Sequence, residues 1–274
     1  MSIFDQPKID CHNHILDPAG FAYGTDTPYS PSGHEIGTAA QFAAVREVYG
    51  VRHALIVGPN SGYNEDNRCL LDAIARSNGG CRGIAVVPNQ VSRAELERLK
   101  AAGIAGVAFN ATYHSVAHYL DTTALLQMLA ELDLFVQVQV EGDQLLELAP
   151  LLLASRVRIL IDHCGRPVPE LGLNQPGFQA LLSLTDTGRC FVKLSGQAKF
   201  SRQSYPWDDT RPFVQALLQA FTPDACIWGS DWPFLRAPER MDYGLLLKLL
   251  EELIPDTDDR HRVLWQTPRQ LLGF

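Results

Sequence analysis

The segment IDCHNH at residues 9–14 begins as a short apolar run and ends in two histidines. Side chains alternate along a strand, so His12 and His14 are expected to share one face, while Cys11 points the other way, towards a layer of helices. Two imidazoles this close can chelate a metal ion or polarise one carbonyl oxygen. The same pattern also arises by chance at strand ends, so its significance depends on the rest of the chain.

Seven further apolar runs follow, each rich in Val, Ile or Phe, as buried strands are. The predicted strands are 9–12, 53–57, 83–87, 106–110, 134–140, 157–163, 191–194 and 226–230. Helical patterns occupy 38–49, 66–77, 92–102, 121–132, 144–154, 177–186, 208–221 and 241–253. This alternation predicts an α/β fold, a (β/α)8 TIM barrel that forms a single domain over residues 1–274. An open doubly wound sheet is the alternative, which is disfavoured because no G-x-G-x-x-G turn follows the first strand.

In a TIM barrel the active site lies at the carboxyl ends of the strands. His12 and His14 end the first predicted strand, His163 ends the sixth and Asp231 ends the eighth. Separately, each has an ordinary explanation, such as a chance pair, a buried histidine or a capping carboxylate. Because the barrel would bring all four to one mouth, we interpret them as catalytic, with Asp231 as a candidate general base on water.

The composition favours a folded protein without affinity for nucleic acid. Of 274 residues, 46% are hydrophobic, and 31 acidic against 23 basic side chains give a net charge of −8. Nucleic-acid affinity comes mostly from basic side chains, so no nucleic-acid partner is expected. We find neither a secretory signal nor a membrane-length apolar stretch, and the six cysteines form no C-x-x-C pair. We therefore expect a cytoplasmic protein with reduced cysteines and no membrane partner.

Three motifs together resemble the amidohydrolase superfamily, specifically its amidohydrolase-2 group. They are Asp10-x-His12-x-His14, Asp162-His163-x-Gly165 and Gly229-Ser230-Asp231-Trp232-Pro233. Within that group the chain is similar to the 2-pyrone-4,6-dicarboxylate lactonase branch. This likeness rests on YSP at 29–31, DN at 66–67, GVAFN at 106–110, HCGRP at 163–167 and YPWDD at 205–209. The resemblance covers nearly the whole chain, from about residue 9 to residue 274.

The resemblance implies a barrel that hydrolyses a ring ester. It implies that His12, His14 and His163 polarise the lactone carbonyl, and that Asp231 activates water and later protonates the leaving oxygen. The expected substrate-binding residues are Tyr29, Asn67, Asn110, Gln139, Arg166, Lys199 and Arg202. The expected partner is therefore a small-molecule lactone.

Two departures from the family pattern shape the expected chemistry. Metal-binding relatives usually carry a histidine at the end of strand five, or a lysine or glutamate near strands four and five. This chain has Gln137, Gln139 and Glu141 there, and no histidine or lysine. We therefore expect no cofactor and no required metal; a divalent ion, if bound, would be held by His12, His14 and Asp231. The branch also has an arginine on strand four, where this chain has Ala108, so one grip on a substrate carboxylate is missing or replaced.

The sequence thus predicts hydrolysis of a small, carboxylated lactone. Arg166, Lys199 and Arg202 follow strands six and seven and are the candidates to hold one carboxylate. Two alternatives remain open at this point. One is a metal-dependent hydrolase or decarboxylase of the same superfamily, and the other is a non-catalytic barrel that binds a metabolite.

Overall fold

The computed structural model describes residues 2–27 and 29–274. Eight parallel strands form one sheet in sequential order, which confirms the predicted (β/α)8 barrel. The strands are β1 (Lys8–Asn13), β2 (Val51–Val57), β3 (Cys81–Ala85), β4 (Ile104–Asn110), β5 (Phe135–Gln139), β6 (Arg158–Ile161), β7 (Cys190–Leu194) and β8 (Cys226–Trp228).

Helices follow the strands and surround the sheet. They are α1 (Ala39–Tyr49), α2 (Arg68–Arg76), α3 (Arg93–Ala101), α4 (Ala111–His114), α5 (Thr123–Glu131), α6 (Gln144–Ala154), α7 (Pro176–Ser183), α8 (Arg211–Phe221), α9 (Tyr243–Leu253), α10 (Thr257–His261) and α11 (Thr267–Leu272). All eight predicted helices are present, and α4, α10 and α11 are short additions. Across the described part of the chain, no helix combines the length and apolar character that a bilayer span requires.

Four strands, β3, β5, β6 and β8, end earlier than the sequence predicts, and catalytic candidates lie just beyond the last two. The predicted sixth strand runs to His163, but β6 stops at Ile161; the predicted eighth strand runs to Ser230, but β8 stops at Trp228. The cause is backbone geometry, since His163 has φ 50° and Asp231 has φ 61°, both in the left-handed region that strands do not use. The catalytic candidates therefore lie on sharp turns just beyond their strands.

The prediction that Cys11 faces the helix layer is wrong. In the β1–β2 pairing Asp10 lies opposite Ala54 and Asn13 opposite Ile56, so β1 contains one extra residue between these pairs. Such a bulge shifts the alternation of side chains. Cys11 consequently packs inside the barrel, in a cluster that includes Ile9, while His12 still reaches the mouth.

The barrel closes where β1 meets β8. Asp231 N donates to His12 O at 2.8 Å, and His14 N donates to Trp232 O at 2.8 Å. Beside them, the buried Asp10 carboxylate accepts from Ser230 N at 3.0 Å, from Ser230 Oγ at 2.6 Å and from Tyr243 OH at 3.0 Å. A single carboxylate thus holds β8 and α9 against β1.

We expect Asp10→Ala to lower the free energy of unfolding by roughly 3–5 kcal/mol, because each buried donor left without an acceptor costs about 1–3 kcal/mol. Urea unfolding followed by circular dichroism measures the change. Asp72→Ala is the matched control, since Asp72 makes an i,i+4 pair with the well-exposed Arg76 at 2.9 Å, an interaction that contributes about 0.5 kcal/mol or less. Equal losses in the two variants would contradict the closing role of Asp10.

Candidate active site

A cavity of about 360 Å³ opens at the carboxyl ends of the strands. Its lining includes His14, His163 and Asp231. His12 lies against this group, with its ring centroid 4.4 Å from that of His163 and 5.0 Å from that of His14. The structure therefore brings together the four residues that the sequence singles out.

The three imidazoles surround one carboxylate oxygen. Asp231 Oδ1 lies 3.7 Å from His12 Nε2, 3.7 Å from His14 Nε2 and 3.9 Å from His163 Nε2. All four side chains are buried. His12 and His14 lie at the end of β1, His163 follows β6 and Asp231 follows β8. Reacting atoms placed in this space would meet nitrogen and oxygen groups from several directions.

Backbone atoms press directly on two of the histidines. Gly229 leaves so little room that a Cβ atom there would lie 2.5 Å from His12 Cβ. A Cβ atom on Gly196, which has φ 65°, would overlap the ring of His163. Glycine is therefore required at both positions, by close approach at Gly229 and by left-handed backbone and close approach at Gly196.

A polar network supports His12 from inside the barrel. Lys193 Nζ contacts Gln137 Oε1 at 2.6 Å, Asp162 Oδ1 at 3.0 Å and His12 Nδ1 at 3.1 Å. Gln137 Nε2 donates to Asp162 Oδ2 at 2.8 Å. Lys193 is not among the predicted site residues; the signal that could have revealed it is a lysine within the apolar run FVKL at 191–194.

The surroundings of the site lower the pKa values of two histidines and of Asp231. Burial, assisted by the Lys193 charge, lowers the pKa of His12 to about 4. Burial also lowers the pKa of His163 well below its usual value. Burial alone would raise the pKa of Asp231. Lys199 and His163 outweigh this effect of burial and hold the pKa of Asp231 well below its usual range. Lys199 Nζ lies 3.2 Å from Asp231 Oδ2. At neutral pH the site thus combines neutral His12 and His163 with an ionised Asp231.

The partners of Nδ1 in His14 and His163 indicate which nitrogen of each ring carries the proton. His14 Nδ1 lies 2.8 Å from Val57 O. A carbonyl oxygen can only accept, so this nitrogen carries a proton, and a neutral His14 presents a lone pair at Nε2. His163 Nδ1 lies 3.0 Å from Ser195 Oγ, a hydroxyl that can donate and so leave the proton on His163 Nε2.

Four of the expected substrate-binding residues line the cavity, namely Asn110, Gln139, Arg166 and Lys199. The other three are absent from its lining. Arg202 has a side chain that is 66% exposed and pairs with Glu170 at 2.9 Å. Asn67 binds backbone instead, donating to Val86 O at 2.8 Å and accepting from Val86 N at 3.1 Å. Tyr29 donates its hydroxyl proton to Glu35, and its ring contacts the guanidinium of Arg236.

The cavity has a cationic side that the sequence analysis identified only in part. Arg166 and Lys199 are joined there by Arg236, whose guanidinium stacks on the Tyr29 ring at 4.6 Å. Arg236 follows β8 in a proline-containing loop and carries no motif that would have indicated it. Arg166 pairs with Glu141 at 3.1 Å, but its buried Nε has no hydrogen-bond partner among the described residues.

The other side of the cavity is neutral and polar. Asn60, Ser61, Asn110 and Tyr113 line it, together with Ala108, the position where the resemblance implied an arginine. Asn60 Oδ1 accepts from Asn110 Nδ2 at 3.0 Å, so the end of β4 is tied to the loop after β2. Asn60, Ser61 and Tyr113 are not among the residues that the sequence predicts for the site.

The side chains expected to hold a metal are close enough to do so. His12, His14 and Asp231 place ligand atoms within 4.8 Å of one another. However, Lys199 Nζ lies 3.2 Å from Asp231 Oδ2 and Lys193 Nζ lies 3.1 Å from His12 Nδ1. A divalent ion would add its charge beside both ammonium groups, a repulsive arrangement. The donor set therefore fits a metal ion by spacing but not by its charge and hydrogen bonds.

The chain belongs to the amidohydrolase family, whose sequence profile matches residues 9–274. The resemblance of the three motifs is thereby confirmed. A curated relative, the 4-sulfomuconolactone hydrolase of Rhizobium radiobacter, is 34% identical over 96% of this chain and 89% of its own. The 2-pyrone-4,6-dicarboxylate hydrolase of Comamonas testosteroni is 28% identical over 96% of this chain and 89% of its own.

Solved structures extend the same similarity. A probable 2-pyrone-4,6-dicarboxylic acid hydrolase from Acinetobacter baumannii, solved with citric acid bound, has a TM-score of 0.88 at 27% identity. The alignment covers 97% of this chain and 99% of that one. The fold and the family are therefore shared over almost the full length of both proteins.

Acid should destabilise the protein through its buried histidines. His12 has a pKa of about 4 when folded and about 6.5 when unfolded, so unfolding takes up a proton between these values. The free energy of unfolding should therefore fall as the pH drops from about 6.5 to about 4, by up to ~1.4 kcal/mol per pH unit for each such histidine. Urea titrations at several pH values measure the slope, which should be shallower for His12→Gln. A stability that does not change over this range would contradict neutral, buried imidazoles.

Proposed function

We propose that the protein hydrolyses a small anionic lactone by attack of water on the ring carbonyl. The observation that carries this proposal is the convergence of three imidazole Nε2 atoms on one Asp231 oxygen, at 3.7 to 3.9 Å, beside a cavity large enough for a small ring. Relatives named as lactone hydrolases confirm the expected enzyme class, a lactonase-type hydrolase. The roles of individual residues and the substrate are proposals.

Asp231 acts as the general base. Its depressed pKa keeps the carboxylate ionised at neutral pH, so it is ready to accept a proton from water. The same low basicity makes it a poor final holder of that proton. Asp231 passes the proton to the leaving ring oxygen when the ester bond breaks, which restores the ionised carboxylate and completes the reaction.

His12 and His163 stabilise the oxygen of the carbonyl. Donors aimed at the position where negative charge develops lower the barrier most when they are preorganised and shielded from water. Both rings are buried and both present Nε2 to the reacting space. His14 donates Nδ1–H to Val57 O, which leaves its Nε2 free to accept a hydrogen bond, so it holds the attacking water together with Asp231.

The cationic side of the cavity selects an anionic substrate. Arg166, Lys199 and Arg236 lie there although the protein as a whole carries a net charge of −8. Positive groups concentrated in a cleft raise the local concentration of anions. The neutral opposite side, with Ala108 and Asn60, suits hydroxyl or carbonyl groups of the ring.

A panel of lactones tests the reaction and the charge preference together. We expect carboxylated or sulfonated lactones to have a higher kcat/KM than neutral sugar lactones, with hydrolysis followed by a pH indicator. Arg236→Met should raise KM for the anionic lactones about tenfold, as loss of roughly 1.4 kcal/mol of binding would. Arg240→Met is the matched control, because Arg240 is 86% exposed and pairs with Asp242 outside the cavity. A preference for neutral lactones would refute the anionic substrate, and a protein that binds lactones without opening any would support the non-catalytic alternative.

Asp231→Asn should keep the fold and lose most of the turnover. A positioned general base contributes about 10²–10⁴-fold to the rate, so kcat should fall by that factor. Asp224→Asn, at a surface carboxylate 3.3 Å from Arg262, is the control and should leave kcat unchanged. Turnover close to wild type in a folded Asp231→Asn variant would remove Asp231 from the mechanism.

We also propose that turnover requires no divalent metal. Two carboxylates, Asp162 and Asp231, are already balanced by Lys193 and Lys199 at 3.0 and 3.2 Å. Exhaustive chelation should therefore leave kcat unchanged, and purified protein should contain much less than one metal ion per chain by elemental analysis. Activity that disappears on chelation and returns with zinc or manganese would favour the metal-dependent alternative, with His12, His14 and Asp231 as ligands.

A further inference from the structure

Lys193 is a fully buried lysine at the base of the site, and the proposed reaction gives it no direct step. Its side chain is 0% exposed. An ammonium group has three N–H donors and accepts none. Lys193 donates one of them to Gln137 Oε1 at 2.6 Å and lies within hydrogen-bond distance of His12 Nδ1 at 3.1 Å, and it forms an ion pair with Asp162 Oδ1 at 3.0 Å. Since an ammonium group can only donate, a hydrogen bond between Lys193 and His12 requires an unprotonated Nδ1.

Asp162 competes for the same nitrogen. Its Oδ1 lies 3.2 Å from His12 Nδ1 and would accept a hydrogen bond if that nitrogen carried the proton. The ring N–H would then face an ammonium N–H, and one donor of a buried cation would have no acceptor. With Nδ1 unprotonated, Lys193 donates to both His12 and Gln137, and Asp162 keeps its ion pair with Lys193 and, on Oδ2, the hydrogen bond from Gln137 at 2.8 Å. Since an unpaired donor on a buried charge is costly, the second arrangement is favoured.

We propose that Lys193 is a positioning residue that holds the neutral His12 ring in the tautomer protonated at Nε2. That nitrogen is the one that faces Asp231, at 3.7 Å, so His12 presents an N–H group to the substrate oxygen. A protonated nitrogen has no lone pair for a metal ion, so the same lysine disfavours metal binding at His12. Only the catalytic consequence rests on the proposed function, because the tautomer belongs to the resting protein.

Nitrogen-15 NMR of the histidine-labelled protein tests the tautomer directly. In the wild type, the His12 signals, identified by their loss in His12→Gln, should show a bare Nδ1 and a protonated Nε2. Lys193→Met removes the ammonium group at similar side-chain length, and the proton should move to Nδ1, where Asp162 accepts it. A protonated Nδ1 in the wild type, or an unchanged tautomer in Lys193→Met, would overturn the proposal.

Metal binding and kinetics give two independent measurements. Lys193→Met should retain more zinc than the wild type after zinc addition and desalting; equal retention would overturn the claim that Lys193 disfavours metal. Its kcat should fall about 10²-fold with little change in KM, as for the loss of one donor to the oxyanion; an unchanged kcat would overturn the positioning role.

Lys8→Met is the matched control. Lys8 is also 0% exposed, lies at the opposite end of the barrel and contacts the carbonyl oxygens of Gln6 and Tyr49, both at 2.7 Å. This variant should lose stability while it keeps the His12 tautomer and kcat. If Lys193→Met does not fold, the wild-type spectrum alone decides the tautomer. A wild type protonated at Nε2 that opens no lactone would refute the proposed function and leave this inference standing.

Discussion

The hydrogen bonds accepted by the Asp10 carboxylate hold both the barrel and its active site together. They join β1 to Ser230 and Tyr243 where the sheet closes. His12 comes from one side of this junction and Asp231 from the other, and their backbones are themselves hydrogen-bonded at 2.8 Å. The distance between the imidazole and the carboxylate is therefore set by closure of the barrel rather than by either strand alone.

Much of the fold and the centre of the site follow from the sequence. Apolar runs that alternate with helical patterns predict the barrel, and the position of reactive residues at strand ends predicts that His12, His14, His163 and Asp231 meet. Those inferences need only periodicity and the geometry shared by all such barrels. The predicted orientation of Cys11 was wrong because one extra residue in β1 changes the alternation of side chains. Such a bulge depends on how neighbouring strands pair, which the local sequence does not show.

The remaining errors have a common physical origin, since side-chain partners depend on tertiary contacts. Lys193 lies in an apolar strand, and nothing local tells whether its ammonium group meets carboxylate, amide or solvent. Asn67 resembles a family position, yet its amide bonds to the backbone of Val86. Arg236 reaches the cavity from a loop whose path the sequence does not specify, whereas Arg202 points into solvent.

The two glycines that touch the histidines have a consequence for motion. Gly229 lies against the backbone and Cβ of His12 and Gly196 lies against the His163 ring, so main-chain atoms rather than flexible side chains border the base of His12 and the ring of His163. The His163 ring can swing towards Gly196 only if the chain after β7 moves with it. The donors therefore need little reorganisation when charge builds on the substrate oxygen, and flexibility for entry and release has to come from the loops around the rim.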